Sequence, residues 1–454
     1  MEFKNLSKMK KTFLYIIALA LISTSCTKVF DVYPVASIAD DQAINDKSGV
    51  EHALAGTYNA LQQGGMYGMD FAIVGDLAAD NLKWSGTSQD YGQVEDKPIP
   101  ADNSIVEGMW ASAYDGINRA NNILNKLPGI DGIPESEFNQ FKGEALFIRS
   151  LLYYNLTMYF GNIPLRLEPT SNLDNIDIAP SSRVQVLEQI IQDLNIARDL
   201  LGSSKSPGRV NTYAASGLLA KANLTLYHIN SDDANAEAAV TEATRVIEEG
   251  GYILETEYSN LFGTTPVSTE SIFEVVYDLQ NFNRLAQYFF SRALIGRYEI
   301  SPKQSFIDSF EEGDLRLSGS IRYDDDLLPY GAKYVDVAGG TDRVYVLRLA
   351  DILLIRAEAN AYRNAPEEEI KADINEVRFR AGLEDTQVSG IPQLKLAIEL
   401  ERNHELAFEG HRYIDLVRTK RAVSVLNIEE KYTLFPIPLS EVQTNNLMNQ
   451  NIGY

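Results

Sequence analysis

The sequence predicts a mainly α-helical protein with loop-rich insertions and a few short strands. Apolar residues recur at i, i+3, i+4 and i+7 over most of the chain, which is the spacing of amphipathic helices. Small residues such as Ala215, Ala220 and Ala359 lie inside these periodic segments and let two helices approach closely. Because paired antiparallel helices of about 34 residues are typical of tetratricopeptide units, we expect a scaffold of divergent, interrupted units of that type.

The first 25 residues predict an export signal. Lys8, Lys10 and Lys11 precede an apolar run over 13–22, and small polar residues then lead to Cys26. That run is shorter than the roughly 20 residues that a spanning helix needs. The order is typical of a signal peptide that ends at a lipid-modified cysteine, although Ser23 stands where Leu is usual. An ordinary cleaved signal beside an unmodified cysteine is the alternative. Residues 26–45 are expected to form a tether.

The rest of the chain divides into three regions by its periodicity. An N-terminal helical region spans 46–250, a loop-rich region with short strands spans 251–345, and a second helical region spans 346–454. Alternation predicts a strand at 271–279. The predicted helices are at 49–63, 104–127, 135–159, 182–201, 212–229, 234–249, 346–363, 366–381 and 393–421.

Composition excludes several classes of protein. With 40 Lys and Arg against 63 Asp and Glu, the net charge of −23 argues against a nucleic-acid partner. A single cysteine excludes a disulfide framework and a zinc ribbon. An acidic body suits a neutral sugar better than a uronate polymer, although local basic pockets can override net charge.

The C-terminal region carries a specific signature. It contains Arg380-Ala381-Gly382-Leu383 and Glu405-Leu406-Ala407-Phe408-Glu409-Gly410, and it ends in Gln450-Asn451-Ile452-Gly453-Tyr454. In this order the residues resemble the SusD/RagB family, outer-membrane lipoproteins that help bacteria import glycans. Trp110, Tyr114 and Asn121 resemble the N-terminal helix pattern of the same family, and Ile452 replaces its usual proline.

The resemblance implies a function without bond chemistry. A lipoprotein held at the cell surface of the outer membrane through Cys26 would capture an oligo- or polysaccharide and deliver it to a SusC-like TonB-dependent transporter. No cofactor is implied. The signature residues themselves are interpreted as structural. Their helical spacing predicts i,i+3 and i,i+4 ion pairs among Glu401, Arg402, Glu405, Glu409, Arg412 and Arg418.

Catalytic patterns are absent from the sequence, so no catalytic or metal-binding residue is predicted. His404 and His411 are seven residues apart, about 10 Å along a helix, which is too far for one zinc ion. A structural role for His404 is therefore expected. No nucleophile elbow, phosphate loop or dinucleotide fingerprint occurs.

Saccharide binding requires exposed rings for the sugar faces and polar groups for the hydroxyls. Trp110 falls on the apolar stripe of its helix and is expected in the core. Trp84 follows a polar stretch and is the main predicted platform, whose loss should leave stability nearly unchanged. The predicted ligand-binding residues are Trp84, Asp80, Asn81, Tyr67 and Tyr91 in an early loop, and Asn283, Arg284, Tyr288, Phe289 and Arg292 in a later one.

Other interpretations remain open at this point. Asp80 and Asn81 could simply cap a turn, and the 288–290 stretch could belong to the core. A peptide-binding member of the same fold, a helical-repeat scaffold that binds only proteins, and a surface glycosidase are the alternative functions.

Overall fold

The computed structural model describes residues 44–170, 177–263 and 268–454, and the periodic segments of the N-terminal region form the predicted helices. Residues Asp46–Tyr454 form one compact unit. The signal peptide, Cys26 and the tether lie outside the described residues, apart from the last residues of the tether. The elements up to residue 250 are α1 (Lys47–Gln62), α2 (Asp70–Leu77), β1 (Leu82–Trp84), α3 (Gln89–Glu95), α4 (Ser104–Lys126), α5 (Glu135–Phe160), β2 (Ile163–Pro164), β3 (Pro180–Ser181), α6 (Arg183–Leu200), α7 (Thr212–Asn230) and α8 (Asp233–Glu249).

Side-chain caps explain where several of these helices begin. The Asp46 carboxylate accepts a hydrogen bond from the Gly49 amide at 2.7 Å, at the start of α1. Asn103 and Asn211 cap α4 and α7 in the same way, and Ser182 forms a capping box with Gln185 before α6. Each cap satisfies amide groups that the first turn leaves without a partner.

The long helices form a continuous array in which each packs against the next. The order of neighbours is α1, α4, α5, α6, α7 and α8, after which the chain passes to the C-terminal helices. Ala215, Ala220 and Ala222 of α7 are completely buried, as the close approach of helices requires. The predicted fold class, mainly α with stacked helix pairs and few short strands, is confirmed.

The middle and C-terminal regions combine short strands with a second helical group. Each strand pairs with one antiparallel partner, and the pairs are β1–β5, β2–β3, β4–β8 and β6–β7. The remaining elements are β4 (Ser271–Val275), α9 (Leu285–Phe289), β5 (Ile300–Pro302), α10 (Gln304–Ile307), α11 (Leu315–Ser320), β6 (Ile321–Tyr323), β7 (Pro329–Gly331), β8 (Val344–Arg348), α12 (Leu349–Tyr362), α13 (Glu367–Arg380), α14 (Ile391–Glu405), α15 (Arg412–Arg418), α16 (Ala422–Leu426) and α17 (Leu439–Thr444).

Two predicted helices are wrong in extent. The segment 346–363 begins as strand β8, which pairs with β4, and turns into helix α12 only at Leu349. The predicted helix 393–421 is two helices, because the chain leaves the helical conformation at 406–411. The helices α2 and α3 also lie in a stretch where no helix was predicted.

The interruption after α14 has a packing reason. Phe408 and Gly410 adopt positive φ angles of 66° and 84°. Gly410 lies so close to α2 that a Cβ atom on Gly75 would be 2.3 Å from the Gly410 carbonyl oxygen. Phe408 is fully buried against Phe289 and Phe306. Tertiary contacts with the N-terminal region therefore override the helical periodicity of this segment.

The apolar core runs through the whole array. One large cluster includes residues from α1 to α16, and a smaller one lies between α12, α13 and α14. Trp110 is 5% exposed and its ring contacts Tyr114 and Phe160, so its predicted place in the core is confirmed. None of the described helices is both long and apolar enough to cross a bilayer.

Arg348, at the end of β8, is the centre of a buried network of charges. Its guanidinium donates to Glu270 at 2.8 Å, to Glu409 at 2.9 Å and to Glu405. Arg380 also pairs with Glu270 and Glu405. Several arginines and several glutamates are buried together here. Each charged group lies next to groups of opposite charge, which compensates its removal from water.

The same network extends to the residues around β6 and β7. Arg316 pairs with Asp314 at 2.7 Å, with Glu405 at 3.4 Å and with Glu401. Lys333 donates to Glu409 at 2.6 Å. These side chains come from the loop-rich region and from the C-terminal helices, so the network joins the two regions.

The signature residues therefore make mostly long-range pairs, and the predicted intrahelical pairing is largely wrong. Arg412 pairs with Asp80 at 2.7 Å, and Arg418 pairs with Glu358. The pair between Asp415 and Arg418, at 2.8 Å, is a local one with i,i+3 spacing. The structural role that was predicted for His404 is confirmed, because its ring stacks on Phe310 at 4.2 Å and hydrogen-bonds Ser309.

Replacing Arg348 should destabilise the protein strongly. In Arg348→Met the carboxylates of Glu270, Glu405 and Glu409 lose a shared partner in a buried site. Because an uncompensated buried charge is costly, we expect the free energy of unfolding to fall by about 3–5 kcal/mol, measured by urea denaturation.

Arg363→Met is the matched control. The Arg363 guanidinium is one-third exposed and lies 3.9 Å from Glu237 at the surface, so its loss should change stability by less than about 1 kcal/mol. Equal effects of the two substitutions would contradict a central role for Arg348.

Candidate functional site

The two sequence regions that were predicted to hold ligand-binding residues lie side by side. Strand β1 pairs with β5, with Trp84 opposite Ile300. The rings of Tyr91 and Tyr288 are in edge contact at 5.8 Å. The hairpin β6–β7 adjoins them, since the Tyr298 hydroxyl donates to the Pro329 carbonyl at 3.0 Å. We call the surface formed by residues 82–88, 281–298 and 321–331 the loop face.

Glu299 organises one edge of the loop face. Its carboxylate accepts hydrogen bonds from the amides of Thr87 at 2.8 Å and Ser88 at 2.9 Å. Arg297 donates to the other oxygen at 3.2 Å. Burial acts to raise the pKa of Glu299, but these donors outweigh it and the pKa is lowered. An ionised carboxylate therefore holds the 85–88 loop against the 297–299 segment.

Trp84 is partly buried and is not the free platform that was predicted. Its ring packs against Gly92 of α3, where a Cβ atom would be 2.8 Å from Cε3. Its indole Nε1 is buried and has no hydrogen-bond partner among the described residues. The Trp84 amide donates to Glu95 at 2.7 Å. The ring contributes to the packing beneath the loop face, so its loss should affect stability.

The polar groups of Asp80 and Asn81 are bonded to other parts of the protein, although the Asp80 side chain remains 34% exposed. Both carboxylate oxygens of Asp80 accept from Arg412, at 2.7 and 2.8 Å. Asn81 is completely buried and donates to Asp76 at 2.6 Å. The prediction that these two residues contact hydroxyls is corrected: Asp80 attaches the early loop to Arg412 of the C-terminal region, and Asn81 attaches it to α2.

Tyr67 and Tyr91 belong to the core. The Tyr67 hydroxyl accepts from Asn155 at 3.0 Å, and the Tyr91 hydroxyl donates to Asp70 at 2.7 Å. Both rings are buried. They cannot offer a stacking surface in this conformation, which corrects the prediction.

The later loop contains both buried and exposed residues. Asn283 is buried and donates to the Asp342 carbonyl at 2.7 Å, and Phe289 is fully buried. Tyr288 is 8% exposed and lies under the guanidinium of Arg297 at 4.9 Å. Of the residues predicted in this loop, Arg284 and Arg292 are the exposed ones.

Apolar side chains that were not predicted also reach the surface of the loop face. Phe282 is 48% exposed and Tyr323 is 49% exposed. Ile295 and Leu327 are 85% and 77% exposed and have φ angles of 67° and 61°, which are unfavourable for residues with a branched or bulky side chain. Such outliers concentrate at functional positions.

The exposure of Phe282 is a feature of the structure that the local sequence does not indicate. Residues 282–285 alternate between exposed and buried, so Phe282 and Arg284 point outward while Asn283 and Leu285 point inward. The Arg284 guanidinium accordingly lies 5.5 Å from the Phe282 ring centre. The residue types do not follow this alternation, because apolar Phe282 points outward and polar Asn283 points inward, so no local pattern marks Phe282 as exposed.

Comparisons with known proteins agree over most of the chain. A family model described as "SusD family" matches residues 327–432, and one described as "Starch-binding associating with outer membrane" matches residues 31–224. SusD-like protein P38 of Formosa agariphila is 27% identical over the full length of both chains.

Solved structures have the same fold. A SusD superfamily protein from Bacteroides vulgatus is similar with a TM-score of 0.81 and 24% identity, over 90% of this chain and 99% of that one. A laminarin binding SusD-like protein is similar with a TM-score of 0.78 and 25% identity, over 90% and 100% of the two chains.

The burial of Trp84 can be tested by its effect on stability. Trp84→Ala removes a ring that packs on Gly92, so we expect a loss of about 2 kcal/mol in the free energy of unfolding, less than for a fully buried aromatic residue. Tyr323→Ala is the control, because its half-exposed ring should be replaceable at a cost below about 1 kcal/mol. A stable Trp84→Ala protein would support the original prediction of a free platform.

Asp70 should give the protein a measurable pH dependence. Burial raises the pKa of Asp70 to about 7, and the Tyr91 hydroxyl opposes this effect. The folded state therefore holds a proton that the unfolded state releases near pH 4, and stability falls as pH rises from about 4 to about 7. Asp70→Asn should gain roughly 2–4 kcal/mol relative to the parent protein between pH 5 and pH 8.

Thermal unfolding of the parent protein and of Asp70→Asn, each at pH 5 and at pH 8, measures this difference in stability. Asp199→Asn, at an exposed side chain, should follow the parent protein at each pH. A constant difference between Asp70→Asn and the parent would show that the carboxyl ionises normally.

Proposed function

Because this chain belongs to the SusD/RagB family, we propose that it is a cell-surface binding protein that captures an oligo- or polysaccharide on the loop face. It passes the ligand unaltered to a SusC-like TonB-dependent outer-membrane transporter. The descriptions of the matching family model and of the laminarin binding relative support carbohydrate as the ligand.

One observation carries the proposal: a half-exposed ring stands next to planar hydrogen-bond donors on the loop face. Phe282 offers an apolar surface to the C–H groups of a sugar ring. The Arg284 guanidinium beside it can donate to ring hydroxyls. Tyr323, Ile295 and Leu327 add exposed apolar area on the same face.

The base of the loop face is suited to hold these groups still. Asn283 and Arg284 are anchored through their amides, which donate to the carbonyls of Gly340 at 2.9 Å and Gly68 at 3.0 Å. A ligand that binds to preorganised side chains loses less free energy to ordering. The proposed role is therefore capture by a rigid surface, with no bond made or broken.

Attachment and organisation complete the proposal. Cys26 would carry the acyl chains that hold the protein at the outer surface of the outer membrane, with residues 1–25 as the signal and 26–45 as the tether. The family description "associating with outer membrane" supports this location. The protein would then act as one platform made of the regions 46–250, 251–345 and 346–454. The middle region would supply most of the ligand contacts.

Calorimetric titration of a soluble form that begins after Cys26 tests the proposal. The ligands are laminarin and starch oligosaccharides, with a peptide mixture as the alternative. Phe282→Ala should weaken saccharide binding about tenfold or more, which is roughly 1.4 kcal/mol, without lowering the melting temperature.

Phe379→Ala is the matched control, because Phe379 is 83% exposed on α13 and lies outside the loop face. It should leave binding unchanged. Binding of peptides and of no saccharide would replace the proposal with a peptide-binding function. A protein that binds neither class would be a scaffold for protein partners, and release of reducing ends would indicate a glycosidase.

A further inference from the structure

Part of the loop face is positively charged, although the protein as a whole is strongly acidic. The chain has a net charge of −23, yet the segment 281–298 contains Arg284, Arg292 and Arg297 and no Asp or Glu. Surface potential depends on the local arrangement of charges more than on the total. The sign of the electrostatic potential at the loop face therefore depends on the charged residues of that face.

Two of these arginines have no partner of opposite charge. Arg284 and Arg292 are exposed, and within the ranges 44–170, 177–263 and 268–454 neither side chain has an ion pair or a hydrogen bond to another protein group. Arginines elsewhere, such as Arg348, Arg380 and Arg418, are held by two or more carboxylates or in bidentate pairs. The charges of Arg284 and Arg292 are free for a ligand.

The third arginine and a tyrosine extend the same surface. The Arg297 guanidinium lies 4.9 Å from the Tyr288 ring centre. Burial raises the pKa of the Tyr288 hydroxyl, although Arg297 and Arg284 act to lower it. The phenol stays protonated at neutral pH and can donate a hydrogen bond, so it adds a donor and no negative charge.

The carboxylates near these arginines are engaged elsewhere. Glu299 accepts from two loop amides and from Arg297, and Asp70 is buried and accepts from Tyr91. Asp324 accepts from the amides of the hairpin turn. Asp325 and Asp326 are exposed at the tip of the hairpin. Asp324 lies next to Ser291, the residue before Arg292, but within the described ranges no carboxylate forms an ion pair with Arg284 or Arg292.

We propose that the saccharide captured by the loop face is anionic, with a carboxylate or sulfate group bound by Arg284 beside a sugar ring on Phe282, and with Arg292 as a second uncompensated positive charge of the same face. This inference rests on the proposed function and specifies its ligand. It replaces the expectation of a neutral sugar, which followed from net charge alone. A guanidinium suits either group, because its planar fork matches two oxygens of a carboxylate or a sulfate.

Calorimetry of the full mature chain in detergent, with two pairs of oligosaccharides, tests the inference. One pair is oligogalacturonate and its methyl ester, which differ in the carboxylate. The other is a carrageenan oligosaccharide and its desulfated form. The anionic member of at least one pair should bind about tenfold or more tighter than its neutral counterpart, and this preference should weaken as ionic strength rises. The pair that shows the preference identifies the anionic group.

Substitutions separate the charge from the ring. Arg284→Gln and Arg292→Gln keep hydrogen-bonding capacity but remove the charge, so each should reduce the preference for the anionic member at least severalfold and leave the melting temperature unchanged. Arg363→Gln, at an exposed site on another part of the surface, is the control and should keep the preference.

The outcomes distinguish the two proposals. If the neutral and anionic members bind equally, or only neutral laminarin or starch oligosaccharides bind, and Phe282→Ala still weakens binding, the anionic ligand is wrong and saccharide capture stands. If none of these saccharides binds, both proposals fail.

Discussion

The burial of one guanidinium constrains the whole structure. Arg348 ends strand β8, and its donors are matched to three glutamates that come from two distant parts of the chain. Placing so many charges in the interior is favourable only if each keeps its partners, since a lone buried ion costs several kcal/mol. The strand, the segment before β4 and the end of α14 must therefore come together in one arrangement.

That constraint also positions the loop face. Arg316 lies in α11 just before β6, and Lys333 follows β7, and both side chains pair with glutamates of the C-terminal signature. The hairpin β6–β7 is thus held at its two ends by the charge network, while its tip remains exposed. A further anchor is the pair between Arg412 and Asp80, which holds the loop before β1. Residues that define the C-terminal signature act on the surface by fixing its base.

The distribution of charge follows from the same division between interior and surface. In the network the glutamates neutralise the arginines, and on the loop face Arg284 and Arg292 remain uncompensated. Net charge alone therefore describes this protein poorly. An acidic chain can offer a basic binding surface when its carboxylates are engaged in the interior or lie elsewhere on the exterior.

The local pattern of the chain determined the long helices, because apolar periodicity and caps such as Asp46 and Ser182 act within a few residues. It also led to the two loops from which the proposed binding surface is built. Tertiary structure alone decided which of their side chains are exposed: the ring of Trp84 meets Gly92, Asp80 meets Arg412, and Phe282 is left in solvent. It likewise broke the segment after α14 at Phe408 and Gly410, where close packing on α2 prevails over periodicity. The physical reason is that exposure and ion pairing depend on which elements pack together, as with Asp80 and the distant Arg412, and no local pattern encodes that packing.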